Sequence, residues 1–358
     1  MNIQHRFHAS MPFSAPGPQI ISESVELKLI DQFLTWKQEN ENCSAGTIKK
    51  YRCFLNRLAV FLNGDFQGAS LKTLEQFSGG WLHRQSYSAA SRKVAVAAVR
   101  GFYAYLTQRH LVKSNSASGL VYPKIGRRLP RFMALKSAEA LLLQPDLDTF
   151  SGLRDSAMLA LLMGCGFRVD GVCSLNESQL IWYHCGETNR LAIRVIEKGD
   201  RERLVPVPLE AMLLLQAYLG HPELQMIDRL LQNGDQVLFV NLRNRHVPVW
   251  EHCGELRRIS SRAVDRMIKR YAIQAGVPED QAHAHALRHL FGTELAESDS
   301  STLQIQALMG HADPKTSEIY THISMRKMTN ILDLGNPLGK IETPVSALLQ
   351  EMKRGKLL

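Results

Sequence analysis

Arg168, Lys198, His285, Arg288 and His311 precede Tyr320 along the chain. Guanidiniums, an ammonium and imidazoles ahead of one phenol are what in-line displacement at a phosphodiester requires: cations for the phosphorane, a proton donor for the leaving oxygen, and a nucleophile. Protein cations supply the charge in such a set, so neither a metal nor another cofactor is expected. Spacing adds to the list. His285-Ala286-Leu287-Arg288-His289 has helical character, which puts His285 and Arg288 one turn apart on one face, within reach of a single phosphate. Leu308-Met309-Gly310-His311 reads as a helix end with Gly310 as its turn residue, and Thr316 to Tyr320 as the start of the next short helix. That arrangement brings His311 and Tyr320 to opposite sides of one anion.

These frames resemble the tyrosine recombinase, or phage integrase, family. Its His-x-x-Arg, Leu-Gly-His and Tyr motifs are matched in order by His285, Arg288, Gly310, His311 and Tyr320. The Gly-x-Arg motif is matched by Gly166-Phe167-Arg168, and the β-hairpin lysine by Lys198 in the run Glu197 to Pro206. The resemblance covers roughly residues 22 to 335. It implies a site-specific DNA recombinase that cleaves and rejoins DNA through a 3′-phosphotyrosyl intermediate. Arg168 and Arg288 would clamp the nonbridging oxygens, with His311 bonding the same phosphate. Lys198 would be the general acid, and His285 the proton acceptor or a phosphate ligand. The implied partners are a double-stranded recombination site and a homotetramer assembled on DNA, with a partner recombinase or directionality factor left open. A mobile-element setting, integration or transposition, is the expected one. Two other outcomes share the ancestry: a DNA-binding regulator that no longer cuts, and a type IB topoisomerase-like enzyme. One departure favours the former. Where the family places glutamate, this chain has Gly171, with Asp170 one residue earlier and about 100° around a helix.

The implied fold is mainly α with a small β-sheet: a helical core-binding domain over residues 21–120, a linker over 121–133 and an α+β catalytic domain over 134–335. A flexible tail at 1–20 and a tail helix within 336–358 flank them. Charge agrees with a polyanionic partner, since 43 Lys and Arg outnumber 34 Asp and Glu for a net +9, although ordinary solubility would read the same way. The six cysteines form no Cys-x-x-Cys pair and suit a reducing compartment. His184-Cys185 and His252-Cys253 are too far apart, and wrongly spaced, for a zinc site. No apolar run is long enough to span a membrane, and residues 1–18 lack the apolar stretch of a secretory signal, so a cytoplasmic protein is expected.

The elements that must position the chemistry are legible as periodicities. Ile48, Tyr51, Leu55, Leu58 and Leu62 form one helical stripe with Ser44 as cap; Val96, Val99, Tyr103 and Leu106 form a second. Their polar faces carry Lys49, Lys50, Arg52 and Arg57, then Arg92, Lys93 and Arg100, read either as solvated faces or as phosphate contacts. The linker carries Lys124, Arg127, Arg128 and Arg131 among prolines and a glycine. Helices are predicted at Ser137–Leu143, Leu153–Met163 and Pro208–Leu219, strands at Leu191–Ile196, Leu204–Val207 and Val237–Asn241. Ser261 is predicted to cap a helix bearing Arg262, Arg266, Lys269 and Arg270, a candidate for DNA contact. Thr343 and Pro344 open an amphipathic tail helix with Val345, Leu348, Leu349 and Met352, docking either on its own domain or on a neighbouring subunit.

Overall fold

The computed structural model describes residues 25–126, 133–185, 188–197, 201–298, 301–309 and 325–353. The chain divides into two compact units, residues 1–128 and 129–358. Residues 1–20, the Lys198-Gly199-Asp200 turn, His311, the Thr316–Tyr320 helix, Arg127, Arg128 and Arg131 carry sequence-based expectations that fall wholly or mainly outside the described residues.

The first unit is helical. α1 (Val25–Glu41), α2 (Ala45–Phe61) and α3 (Ala89–Gln108) are its long elements, with short helical turns from Leu71 to Arg84 between the last two. Ser44 caps α2 as expected, its hydroxyl accepting from the Thr47 amide at 3.3 Å. The stripes of α2 and α3 close on α1 through Leu55, Leu58, Val99 and Phe102, and Phe33 meets Phe102 edge-on at 5.5 Å between centroids. The Tyr103 hydroxyl, buried with them, donates to the Phe66 carbonyl at 3.0 Å. Residues 121–126 and Met133, the described part of the predicted linker, form no regular element.

The second unit is built around α5 (Phe150–Gly164), preceded by α4 (Leu135–Leu142) and followed by α6 (Val169–Cys173). Ala157 to Met163 are buried on every side, so α5 is a core helix without a polar face. Strands β1 (Leu180–Cys185), β2 (Thr188–Glu197) and β3 (Arg201–Pro206) form an antiparallel meander in sequence order. β2 and β3 pair out to Glu197 opposite Arg201, so the residues between them, Lys198 included, join the two strands. α7 (Leu209–Leu219) packs back on α5. The predicted strand at Val237–Asn241 is replaced by isolated bridges, Asn176 to Val237 and Val240 to Arg258. Its apolar side chains are nonetheless core, with Phe239 stacked on Tyr218, because the segment threads between helices and finds only single-residue partners.

α8 (Ser261–Gln274), α9 (Ala284–Glu297), α10 (Thr302–Met309), α11 (Met325–Gly335) and α12 (Ser346–Lys353) complete the unit. The cap of α8 is Ser260, one residue before the predicted one, because the Ser261 hydroxyl is taken by the Asp170 carboxylate. α12 starts later than predicted, with the Thr343 and Ser346 hydroxyls bonded to each other at 3.0 Å. Val345 and Leu349 are buried in the core of their own unit, so the tail helix docks on its own domain.

A charged network lies inside this core. Asp155 is fully buried on α5 and accepts from Arg154 at 2.6 and 2.9 Å, from Arg270 at 3.1 Å and from the Tyr271 hydroxyl at 2.9 Å. Burial first, then the Asp155 charge, pushes the Tyr271 phenol up to about 12, which keeps it a donor. Asp155→Ala would leave the buried Arg154 guanidinium with the Val240 carbonyl but without the Asp155 counter-ion, and urea unfolding should show a loss of about 3–5 kcal/mol. Arg270 is largely exposed, so Arg270→Ala should cost under about 1 kcal/mol in the same titration.

Candidate active site

Arg168, the cation of the first motif, ends the loop that leaves α5 and immediately precedes α6, with its side chain exposed. That loop turns at Gly166, whose φ of +61° lies in the left-handed region. A Cβ there would lie 2.2 Å from Phe291 Cδ1, so α9 packs directly against the turn. Gly166→Ala should therefore cost about 2–4 kcal/mol, combining left-handed strain with overpacking. A thermal melt of the variant would read it, and the displaced Phe291 should slow cleavage as well.

α9 carries the second motif. His283 caps it, Nδ1 accepting from the Ala286 amide at 3.0 Å. His285 and Arg288 are one turn apart as expected but differ in surroundings. His285 is exposed, whereas Arg288 is 6% exposed and points inward. Its Nη1 donates to the Gly166 carbonyl and its Nη2 to the Met309 carbonyl. One guanidinium thus joins the loop of Arg168 to the last residue of α10, next to Gly310 and His311. Burial, with His285, His283 and Arg288 nearby, holds the His289 imidazole below its ordinary pKa.

α9, α10 and α11 share a small apolar cluster of Phe291, Leu295, Leu308, Met309 and Leu332. α9 and α10 approach closely there, since a Cβ on Gly292 would sit 2.9 Å from Met309 Sδ. The helix after Tyr320, α11, is fastened to the sheet. Arg190 of β2 pairs bidentately with Asp333 at 2.6 and 2.8 Å, and the Tyr183 hydroxyl of β1 bonds Thr329 at 2.7 Å. The described residues therefore frame the 310–324 segment at both ends.

A residue that the motifs did not single out joins the frame. Arg203 of β3 donates from Nη1 to the Leu308 carbonyl at 2.9 Å. Leu308 and Met309 carry adjacent carbonyls in the last turn of α10, and each accepts from a different arginine. Strand alternation was the available signal. Arg203 falls on the same side of β3 as buried Val205, and a cation on an inward face needs a partner. Arg203 also lies near the Cys165 thiol, whose pKa burial pushes up and this charge opposes.

At the departure position, a Cβ on Gly171 would meet nothing within 4 Å. Asp170 turns instead toward Ser261 at the start of α8. Among the DNA-contact candidates, Lys49, Lys50, Lys93, Lys124, Arg262 and Arg266 are exposed and Arg92 is half-buried. Others are engaged internally. Arg52 pairs with Asp31, Arg57 lies over Tyr87 at 5.6 Å, and Arg100 donates to the Leu120 carbonyl at 3.0 Å. Arg270 leaves the α8 set for Asp155. No group of His, Cys, Asp and Glu able to hold a metal, and no helix long and apolar enough to cross a membrane, occurs among the described residues.

Residues 131–327 match the phage integrase family, and residues 30–110 match the phage integrase N-terminal SAM-like domain. The chain belongs to the phage integrase family of tyrosine recombinases. Tyrosine recombinase XerD of Proteus mirabilis is 31% identical over 316 residues, 87% of this chain and 93% of the relative. Two solved tyrosine recombinases share the fold. XerH bound to its difH substrate aligns with a TM-score of 0.58 at 18% identity, covering 85% of this chain and 94% of its own. A lambda integrase tetramer on a Holliday junction aligns at 0.54 and 18%, covering 80% and 77%. This chain is accordingly a tyrosine site-specific recombinase, a DNA strand transferase, with the mainly α fold and small sheet that the recombinase motifs imply.

Proposed function

We propose that this recombinase uses Tyr320 to cut one strand of a double-stranded recombination site. The Tyr320 oxygen bonds to the scissile phosphorus while the bond to the 5′-oxygen breaks. Lys198 gives its proton to that oxygen, and the phenolic proton passes to His285 or to water. The products are a 3′-phosphotyrosyl link and a free 5′-hydroxyl. Attack by a second 5′-hydroxyl reverses the steps and restores a phosphodiester, so no energy source is consumed. Arg168 and Arg288 hold the nonbridging oxygens and His311 bonds the same phosphate. The phosphorane charge is thus met by fixed donors.

The observation that carries this reading is Arg288, whose guanidinium holds the Gly166 and Met309 carbonyls and so gathers the flanks of three motifs. Lys49, Lys50, Arg92, Lys93, Lys124, Arg127, Arg128, Arg131, Arg262 and Arg266 contact phosphates on either side of the cut and set register without reading bases. Exchange of strands between two duplexes engages four copies on DNA, the number in the lambda integrase tetramer. The catalytic body, 134–335, extends to the tail helix, which Val345 and Leu349 fasten to the same core. The setting in a mobile element belongs to the same proposal, and intermolecular integration of a donor circle, as opposed to resolution of a dimeric circle, tests it.

A nicked suicide duplex carrying the site tests the chemistry. A denaturant-resistant protein–DNA adduct is expected, with joint products from two duplexes. Binding without adduct would leave a regulator that does not cut, and relaxation without joint products a topoisomerase-like enzyme.

A further inference from the structure

We infer that Arg203 is a positioning residue for strand cleavage, acting through the end of α10 on His311; this rests on the active site proposed above. The last turn of a helix leaves carbonyls without intrahelical partners and concentrates the negative end of the helix dipole. In α10 that end immediately precedes Gly310 and the proposed phosphate ligand His311 in the chain. Two guanidiniums meet it, Arg203 on the Leu308 carbonyl at 2.9 Å and Arg288 on the Met309 carbonyl. Each satisfies an orphan acceptor and offsets a partial charge that would repel the bound phosphate.

The two arginines come from different places. Arg288 belongs to α9, whereas Arg203 belongs to β3, two residues beyond Arg201, which pairs with Glu197 of β2. Arg203 therefore couples β3, which follows the proposed general acid Lys198 in the chain, to the end of α10, which precedes His311. Without it the last turn of α10 loses the Leu308 bond, one of the two arginine bonds seen there among the described residues, and His311, the proposed phosphate ligand next in the chain, is expected to serve the cut less well. Truncating a residue that orients a functional side chain typically lowers activity about 10–100-fold.

Single-turnover cleavage of the suicide duplex by the full chain, at saturating protein, tests this in a double-mutant cycle with His311→Ala. Arg203→Met should slow cleavage about 10–100-fold with the DNA Kd unchanged. Arg203→Lys, which keeps a donor and the charge, should recover most of the rate. In the His311→Ala background Arg203→Met should cost less than about threefold, because its effect passes through the imidazole. Equal fold losses in the two backgrounds would overturn the inference while leaving the active site standing. A His311→Ala protein that cleaves at the wild-type rate would remove the proposed site and this inference with it. If Arg203→Met does not fold, as judged by its melting curve, Arg203→Gln takes its place in the cycle with the same outcomes.

Discussion

Tyr320→Phe should bind the recombination site with unchanged affinity and form no covalent adduct. The substitution deletes one oxygen and keeps the ring, so whatever the ring packs against is retained. Removing the phenol oxygen takes no cation from the protein. Its loss therefore changes neither the number of phosphates neutralised nor the steepness with which affinity falls as salt rises. Cleavage has no substitute for the missing nucleophile. Phenylalanine has no oxygen to bond to phosphorus, so if Tyr320 is the nucleophile no adduct appears on a denaturing gel at any time. A Tyr320→Phe protein that still gave the adduct would show that another residue attacks. Joint loss of adduct and binding would instead assign the tyrosine to folding.

The sequence made the frame of this site legible wherever periodicity and local chemistry agreed. The α2 stripe with its Ser44 cap and the α9 run from His285 to His289 were readable because a helix repeats every 3.6 residues and a cap is a local bond. Elements defined by distant partners were not. β1 escaped notice because His184 and Cys185 interrupt its apolar pattern, and only its ladder to β2 makes it a strand. Val237 to Asn241 has strand composition, yet the pairing it finds is single bridges, a matter of which neighbours arrive. Ser260 took the cap expected of Ser261 because Asp170, 91 residues away in sequence, claims the Ser261 hydroxyl. The same limit hid Arg203. Its motif neighbour Lys198 was readable from order in the chain; strand alternation puts Arg203 on an inward face, but its partner Leu308 lies 105 residues away and no local pattern names it.

Arg288→Lys should separate the bridge that its guanidinium makes from the phosphate contact proposed for it. Lysine keeps the positive charge but has a compact ammonium, which cannot reach two carbonyls on separate segments as the planar fork does. The Gly166 and Met309 carbonyls both lie at Arg288, which is 6% exposed, so at least one of them would lose its charged donor away from water. A hydrogen bond to a charged group contributes about 1.5–3 kcal/mol, and urea unfolding of the variant should show a loss of that size. Cleavage should fall further, on the order of 10²–10³, because the proposed forked donor to the phosphorane becomes a compact ammonium and the Arg168 loop and the α10 end are no longer tied together. Arg168→Lys provides the contrast. Arg168 is exposed at the start of α6, so its variant should lose a comparable factor in cleavage with a smaller change in stability. Suicide-duplex cleavage and urea midpoints measured on both proteins check the pair. Equal stability losses would mean that the buried bridge is not what distinguishes the two arginines, and an Arg288→Lys protein that cleaved at the wild-type rate would show that any cation suffices at that position.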